Sequence, residues 1–190
     1  MDDRQLVAGV TRRDPEAFRT LMERNASLVI NLAYRFLGTV ADAEDVAQDV
    51  FLRLYQNPPH LAPEGKLSTW LYRVTANRCI DLLRSKPRQE AVSIEGTPHG
   101  EEEGVSSLAQ QLPDSKAGPR ELVAQSELGI LTRRAVAALP ISLRGPLLLS
   151  AFEGISLQEI GEIFSISSKA AERRIARARE ILRARLQPYL

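Results

Sequence analysis

The residues of this chain best suited to recognition chemistry are seven cations between Ser165 and Leu190, namely Lys169, Arg173, Arg174, Arg177, Arg179, Arg183 and Arg185, set against Glu172 and Glu180. Guanidinium groups are planar and permanently charged, and they bind phosphate or the N7/O6 edge of guanine through paired hydrogen bonds. A glutamate on the same surface can accept from cytosine N4. The chemistry on offer is binding rather than bond breaking, and a solvated helix is the plainer reading of the same arginines. Enzymatic chemistry finds no carrier: there is no glycine-rich phosphate loop, no histidine paired with a nucleophile and no close carboxylate pair with an evident pocket. His60, His99 and the single cysteine, Cys79, have no zinc-site spacing, and one cysteine excludes an internal disulfide. No metal, cofactor or small-molecule substrate is expected, and Cys79 reads as a small apolar core residue.

The elements that must position these cations are helical. "ISLQEIGEIFSISSKAAERRIARAREIL" opens on Ser156 with Glu159 three residues later, a capping box, so a helix should begin there. The period breaks at "SIS" and resumes after Ser167, a second cap, with Ala171, Ile175, Ala178 and Leu182 on one face. Two short helices joined by about three residues make a helix-turn-helix, and Gly161 sits where the first must approach the second closely. In such a motif the second helix enters the DNA major groove, with its leading residues at base edges and flanking cations on phosphates. Lys169, Glu172, Arg173 and Arg174 occupy that leading part.

Three more amphipathic helices are predicted toward the amino terminus. One starts at Asp14 as N-cap with Pro15 at the first helical position, carries Phe18, Leu21, Met22, Val29, Leu32 and Phe36 inward, and ends at Gly38. The next is predicted to be capped by Asp42, with Ala43, Val46, Ala47, Val50, Phe51 and Leu54 inward, Asp45, Gln48, Asp49 and Arg53 outward, and Pro58-Pro59 closing it. In the third, "LSTWLYRVTANRCIDLLRS", Leu67, Leu71, Val74, Ile80 and Leu83 face inward, and Trp70, Arg73, Asn77, Asp81 and Arg84 share an opposite stripe. Asp81 is expected to pair within the helix with Arg78 or Arg84.

Between these blocks, "SKPRQEAVSIEGTPHGEEEGVSSLAQQLPDSKAGPRE" is dominated by glycine, proline, serine and glutamate, a composition that cannot bury enough surface to offset its ordering entropy. The organisation expected is all-α: a domain over 1–85, a flexible acidic linker over 86–118 and a helix-turn-helix domain over 119–190. Charge divides the same way, with 11 basic and 11 acidic side chains in the first block, 3 and 6 in the second, and 11 and 7 in the third. The acidic start and the lack of a long apolar run argue against a signal peptide or membrane span and point to the cytoplasm.

Three of these segments resemble, in order, one known family. "ISLQEIGEIFSISSKAAERRIARAREILR", with "LP" and "FEGIS" ahead of it, is similar to the promoter-reading helix-turn-helix of bacterial extracytoplasmic-function sigma factors of the sigma-70 class. "DAEDVAQDVFLRLY" resembles the family segment that grips core RNA polymerase, and "STWLYRVTANRCIDLLR" the segment that melts and reads the promoter element nearest the start site. The resemblance implies a dissociable initiation subunit. Asp45, Gln48, Asp49 and Arg53 would dock on the coiled coil of the largest polymerase subunit. Lys66, Trp70, Arg73, Asn77, Arg78 and Arg84 would serve the proximal (−10) element. Ser168, Lys169, Glu172, Arg173, Arg174 and Arg177 would serve the upstream (−35) element. It also implies that the loop from His60 to Ser68 cradles a flipped base, whose loss of stacking a flat or hydrogen-bonding side chain can offset. Trp70 is open between stacking platform and half-buried packing residue. Many members are restrained by an anti-sigma protein, which makes such a protein a further candidate partner.

Departures are visible as well. Glu172 stands where many members carry a lysine or similar residue, beside Ala170 and Ala171, so the upstream sequence read should be atypical. Gly145-Pro146 falls where the family continues a helix, so that helix should begin near Pro146 or kink there. The competing reading is a helix-turn-helix regulator that binds duplex DNA unaided. It accounts for the last 70 residues and leaves "DAEDVAQDVFLRLY" and the Trp70–Arg84 helix as scaffold with no task.

Overall fold

The computed structural model describes residues 2–61, 65–85 and 127–189. Among them are eight α-helices and no strand: α1 (Asp3–Thr11), α2 (Pro15–Leu37), α3 (Val40–Gln56), α4 (Leu67–Ser85), α5 (Glu127–Ala137), α6 (Ile141–Phe152), α7 (Leu157–Phe164) and α8 (Ser168–Leu186), followed by a 3-10 turn, Gln187–Tyr189. The all-α class read from the sequence is the one observed. The expected linker, 86–118, and the start of the second domain at 119 lie outside the described residues.

α2 is the spine of the first unit. Asp14 accepts from the backbone N–H groups of Glu16 and Ala17, Pro15 occupies the first turn, and Gly38 closes the helix in the left-handed region at φ 87°. Leu21, Val29, Leu32 and Phe36 are fully buried against α1, α3 and α4. α3 begins three residues earlier than expected. Thr39, not Asp42, is its N-cap, accepting from the Asp42 N–H, while the Thr39 hydroxyl donates to the Asp42 carboxylate. Asp42 lies in the first turn, where a carboxylate suits the positive end of the helix dipole. All six inward positions assigned to α3 are buried. α1 was not anticipated. It is a nine-residue helix capped by a reciprocal Asp2–Gln5 box, and burial of Leu6, Val7 and Val10 against α2 supplies the stability that so short a helix lacks alone.

In the second unit α5, α6 and α7 pack around α8. α6 starts at Ile141 and runs through Pro146, so the expected start near Pro146 is corrected. Proline at the sixth position removes one backbone donor, and the apolar row Leu147, Leu148 and Leu149, all buried, holds the helix through that point. Gly145 just ahead has a positional reason. A Cβ there would lie 2.6 Å from the Phe164 ring and 3.4 Å from that of Phe36, so only glycine lets these two aromatic rings approach α6.

The two units share one buried cluster, with α6 against α2 and α7 against α4. A buried cation lies at their junction. Arg144 of α6 donates to the carbonyls of Phe36 (3.0 Å), Leu139 (3.2 Å) and Ala137, near the carboxyl ends of α2 and α5, where the helix dipole favours positive charge. Burial pulls its pKa down, and its Nε atom has no hydrogen-bond partner among the described residues.

Candidate nucleic-acid interface

α7 and α8 form the expected helix-turn-helix. The Ser156 hydroxyl accepts from the Glu159 N–H at 3.2 Å, and the Glu159 carboxylate accepts from the Ser156 N–H at 3.2 Å and its hydroxyl at 2.8 Å. These bonds from Ser156, then Lys66, hold the Glu159 carboxyl below its ordinary pKa. α7 ends at Ser165 in the left-handed region, and after a three-residue turn the Ser167 side chain accepts from the Ala170 N–H to start α8. A Cβ on Gly161 would sit 2.6 Å from the Ile166 carbonyl oxygen, so the close approach inferred for this glycine is to the turn backbone.

α8 buries a narrow seam of Ala171, Ile175 and Ala178, with Leu182 half-buried beyond it. Small residues let it lie close to its neighbours while its cations remain outside. Ser168, Lys169, Glu172, Arg173 and Arg177 are exposed, and Arg174 is half-buried at the edge. The Arg173 Nε–H points back to the Lys169 carbonyl at 3.4 Å, and Arg177 pairs with Glu180 at 2.6 Å. An exposed helix pair of this spacing is worth about 0.2–0.5 kcal/mol, so Arg177 is readily given up to a phosphate.

On α4, Trp70 is half-buried and packed against the core, while Arg73, Asn77 and Arg84 are exposed. Arg78 lies to one side, and its Nε–H donates to the Asp49 carboxylate of α3 at 2.6 Å rather than to Asp81, which corrects one expected intrahelical pair. Asp49 is thereby half-covered, while Asp45, Gln48 and Arg53 are exposed on the same helix. Of the loop expected to cradle a base, residues 62–64 lie outside the described set; Leu61, Gly65, Lys66, Leu67 and Ser68 border an open depression that Asp2, Asp3 and Arg4 also line. Cys79 is fully buried, and burial pushes its thiol up to about 12, so it is a core residue without nucleophilic character at neutral pH.

Two groups assigned to the proximal surface of the first unit are held by α7 of the second. Lys66 Nζ lies 3.2 Å from the Glu159 carboxylate, and Arg73 Nη2 donates to the Glu162 carbonyl at 3.2 Å. Beside them Glu153, just past α6, accepts from Arg35 of α2 and, at 3.0 Å, from the Tyr72 hydroxyl of α4. Burial and the neighbouring Glu153 raise the Tyr72 pKa. The sequence reading missed Arg35, Tyr72 and Glu153, because nothing in local periodicity marks contacts between residues 81 and 118 positions apart.

Comparison with known proteins accounts for both units. The sequence pattern of Sigma-70 region 2 matches residues 21–89, and that of Sigma-70, region 4, matches residues 130–182. The chain is 34% identical over 183 residues to the ECF RNA polymerase sigma factor SigW of Bacillus subtilis, covering 95% of each chain. It is 27% identical over 190 residues to the ECF RNA polymerase sigma-E factor of Escherichia coli (strain K12), covering 100% of this chain and 97% of that one. Its fold is similar to that of CnrH, solved with the cytosolic domain of CnrY, with a TM-score of 0.66 at 24% identity over 98% of this chain and 97% of that one. The two region patterns fall on the two helical units, region 4 across the helix-turn-helix, and the chain belongs to the extracytoplasmic-function sigma factors of RNA polymerase.

Proposed function

We propose that this sigma factor brings RNA polymerase to its promoters through three sets of residues, one on α3, one on and just ahead of α4, and one on α8. Asp45, Gln48, Asp49 and Arg53 on α3 dock core polymerase, an acidic stripe suited to a basic partner helix. Lys66, Trp70, Arg73, Asn77, Arg78 and Arg84 serve the unpaired −10 element. Ser168, Lys169, Glu172, Arg173, Arg174 and Arg177 serve the −35 element, the leading residues at base edges and Arg177 on phosphate. Trp70, packed against the core, contributes its exposed part at most. The working division is a polymerase-binding and melting domain over 1–85, a tether over 86–118 and a duplex-reading domain over 119–190.

The observation that carries this reading is the outward placement of Lys169, Glu172 and Arg173 on the helix that follows the turn, opposite its buried alanine and isoleucine seam. The protein contributes no catalytic group of its own; bond formation belongs to polymerase. It works in the cytoplasm, where polymerase and promoter are, and no described helix is long and apolar enough to cross a membrane. An anti-sigma protein is a further partner in this reading, supported by a solved relative of similar fold, the sigma factor RpoE of Bartonella quintana in complex with the anti-sigma factor NepR (TM-score 0.58, 18% identity, 88% of this chain and 93% of that one).

Binding-site selection with reconstituted holoenzyme tests the residue assignment. Arg173→Ala or Glu172→Lys should change the base preference at one or two upstream positions. Arg177→Ala should weaken all sequences alike. Selected sites identical to wild type for both Arg173→Ala and Glu172→Lys would remove α8 from the reading role.

A further inference from the structure

The elbow between α1 and α2 carries an arginine where the backbone suits glycine. Arg13 has φ 62°, in the left-handed region that glycine enters freely and a residue with a side chain enters under strain. The turn demands that conformation. The Arg13 N–H bonds to the Val10 carbonyl at 2.9 Å and the Asp14 N–H to the Gly9 carbonyl at 3.0 Å, after which Asp14 caps α2.

What the side chain does is visible at the far end of α3. The Tyr55 carbonyl lies in the last turn of that helix, and the residues three and four positions on, which would normally bond to it, are Pro58 and Pro59. Neither has an N–H to give. Arg13 supplies the missing donor from 42 positions away: its Nη1 donates to the Tyr55 carbonyl at 2.6 Å, at the negative end of the helix dipole. The same guanidinium lies 4.8 Å from the centre of the Tyr55 ring, and that ring makes an edge contact with Phe18 of α2 at 5.1 Å between centres. Phe18 in turn packs against the core, so the end of α3 is tied back to the elbow and to the first turns of α2.

This tie lies just ahead of His60, where the loop expected to cradle a base begins. Pro58 and Pro59 have fixed φ and are half-buried, the Asn57 N–H is bonded to the Arg53 carbonyl at 2.8 Å, and Leu61 packs against the core. Little freedom is left between Tyr55 and Leu61, and the direction in which the chain leaves α3 follows the placement of the Tyr55 carbonyl.

We propose that Arg13 is a positioning residue for −10 recognition: by bonding the Tyr55 carbonyl it fixes the end of α3 and, through Pro58-Pro59, the entry of the loop that receives an unpaired base. The tie stands on the contacts alone. Its effect on DNA rests on the reading above of that loop, with Lys66 in it, as part of the −10 surface.

Arg13→Gly removes the side chain and relieves the backbone, so the unfolding midpoint should stay within about 3 °C of wild type. Amide hydrogen exchange over Gln56–Leu61 should quicken about fivefold or more, and exchange as slow as in wild type would overturn the tie. In holoenzyme reconstituted with core polymerase, affinity for a single-stranded −10 oligonucleotide from a promoter mapped with this protein should fall roughly threefold or more. Core affinity and −35 duplex binding should not change; a parallel loss of both would mark a general loss of structure and overturn the positioning role. The slope of log affinity against log salt should match wild type. A slope shallower by about 0.7 would mean that Arg13 binds a phosphate itself, which also overturns positioning. Arg13→Lys, which keeps a donor and a charge, should recover part of the affinity, and a lysine variant no better than glycine would count against the bond. Lys66→Ala separates the two claims. If it weakens −10 binding while Arg13→Gly binds as wild type does, positioning by Arg13 falls alone. If Lys66→Ala and Arg13→Gly both bind as wild type does while exchange still quickens in the latter, the −10 reading of the loop falls, and the positioning role with it.

Discussion

Gly161→Ala gives the sharpest test of the helix-turn-helix geometry, because two effects of the same methyl group oppose each other. In an open helix interior, alanine is favoured over glycine by about 1 kcal/mol. Here the added Cβ would stand 2.6 Å from the Ile166 carbonyl oxygen and 3.4 Å from the Ser168 nitrogen, and both are backbone atoms that cannot rotate away. Forcing the turn outward costs about 1–3 kcal/mol as overpacking, and strains the 2.9 Å bond from the Ile166 N–H to the Gly161 carbonyl, worth roughly 0.5–1.5 kcal/mol. The steric term wins by about 2 kcal/mol. For a unit of some 70 residues that lowers the unfolding midpoint by roughly 8–16 °C. Far-UV circular dichroism melts of the full chain, with duplex binding at the −35 element, read the effect. Gly38→Ala is the control: it meets nothing within 4 Å, so it bears only the left-handed backbone penalty of about 1–2 kcal/mol, and in the first unit. A Gly161→Ala variant as stable as wild type, binding −35 duplex as tightly, would refute the close packing of α7 on the turn.

Other consequences are directly measurable. Asp49→Arg should reduce core polymerase affinity at least tenfold with an unfolding midpoint within a few degrees of wild type, since the exposed Arg78 pair it loses is worth under about 1 kcal/mol; an unchanged affinity in a pull-down titration removes α3 from docking. Cys79 should resist thiol reagents at pH 8 until the protein unfolds, and labelling at the rate of a free thiol would contradict its burial. Its pKa is raised on folding from 9.0 to about 12, so the stability it contributes is complete below about pH 9 and declines as pH rises toward 12. Tyr72, shifted in the same direction, adds to that loss above pH 10. Denaturant titrations between pH 8 and 11 should show it, and a flat profile would argue that both groups are solvated in the folded state. Ser156→Ala should destabilise the second unit by about 1 kcal/mol through the lost capping box, read as a lower urea midpoint with an unchanged slope.

Local signals in the sequence carried much of the fold. α2 has the ends that its caps, its proline and its apolar spacing dictate, because the helix carries enough periodic residues for one face to be unambiguous. Thr39 displaced Asp42 as the cap of α3 because either can serve, and the turn from Gly38 decides which one has the extended backbone a cap requires. α1 escaped notice because its three buried side chains are a short run whose helical face is defined by α2 rather than by its own pattern. Pro146 argued for a boundary, yet the helix passes through it because its buried leucines outweigh one missing bond. The candidate site follows the same division. The outward faces of α3, α4 and α8 were legible from spacing alone. Their partners were not: Asp49 with Arg78, Lys66 with Glu159, and Glu153 with Arg35 and Tyr72 depend on how whole helices are placed, and no local rule encodes that.

The role of the chain is tested most directly by transcribing a fragmented genomic library with purified core RNA polymerase, with and without this protein, and sequencing the transcript starts. New starts that depend on the protein and share two upstream motifs at fixed spacing are expected. Specific protection of duplex sites by the protein alone, with no new starts, would contradict its action as an initiation subunit and favour a DNA-binding regulator that needs no polymerase contact.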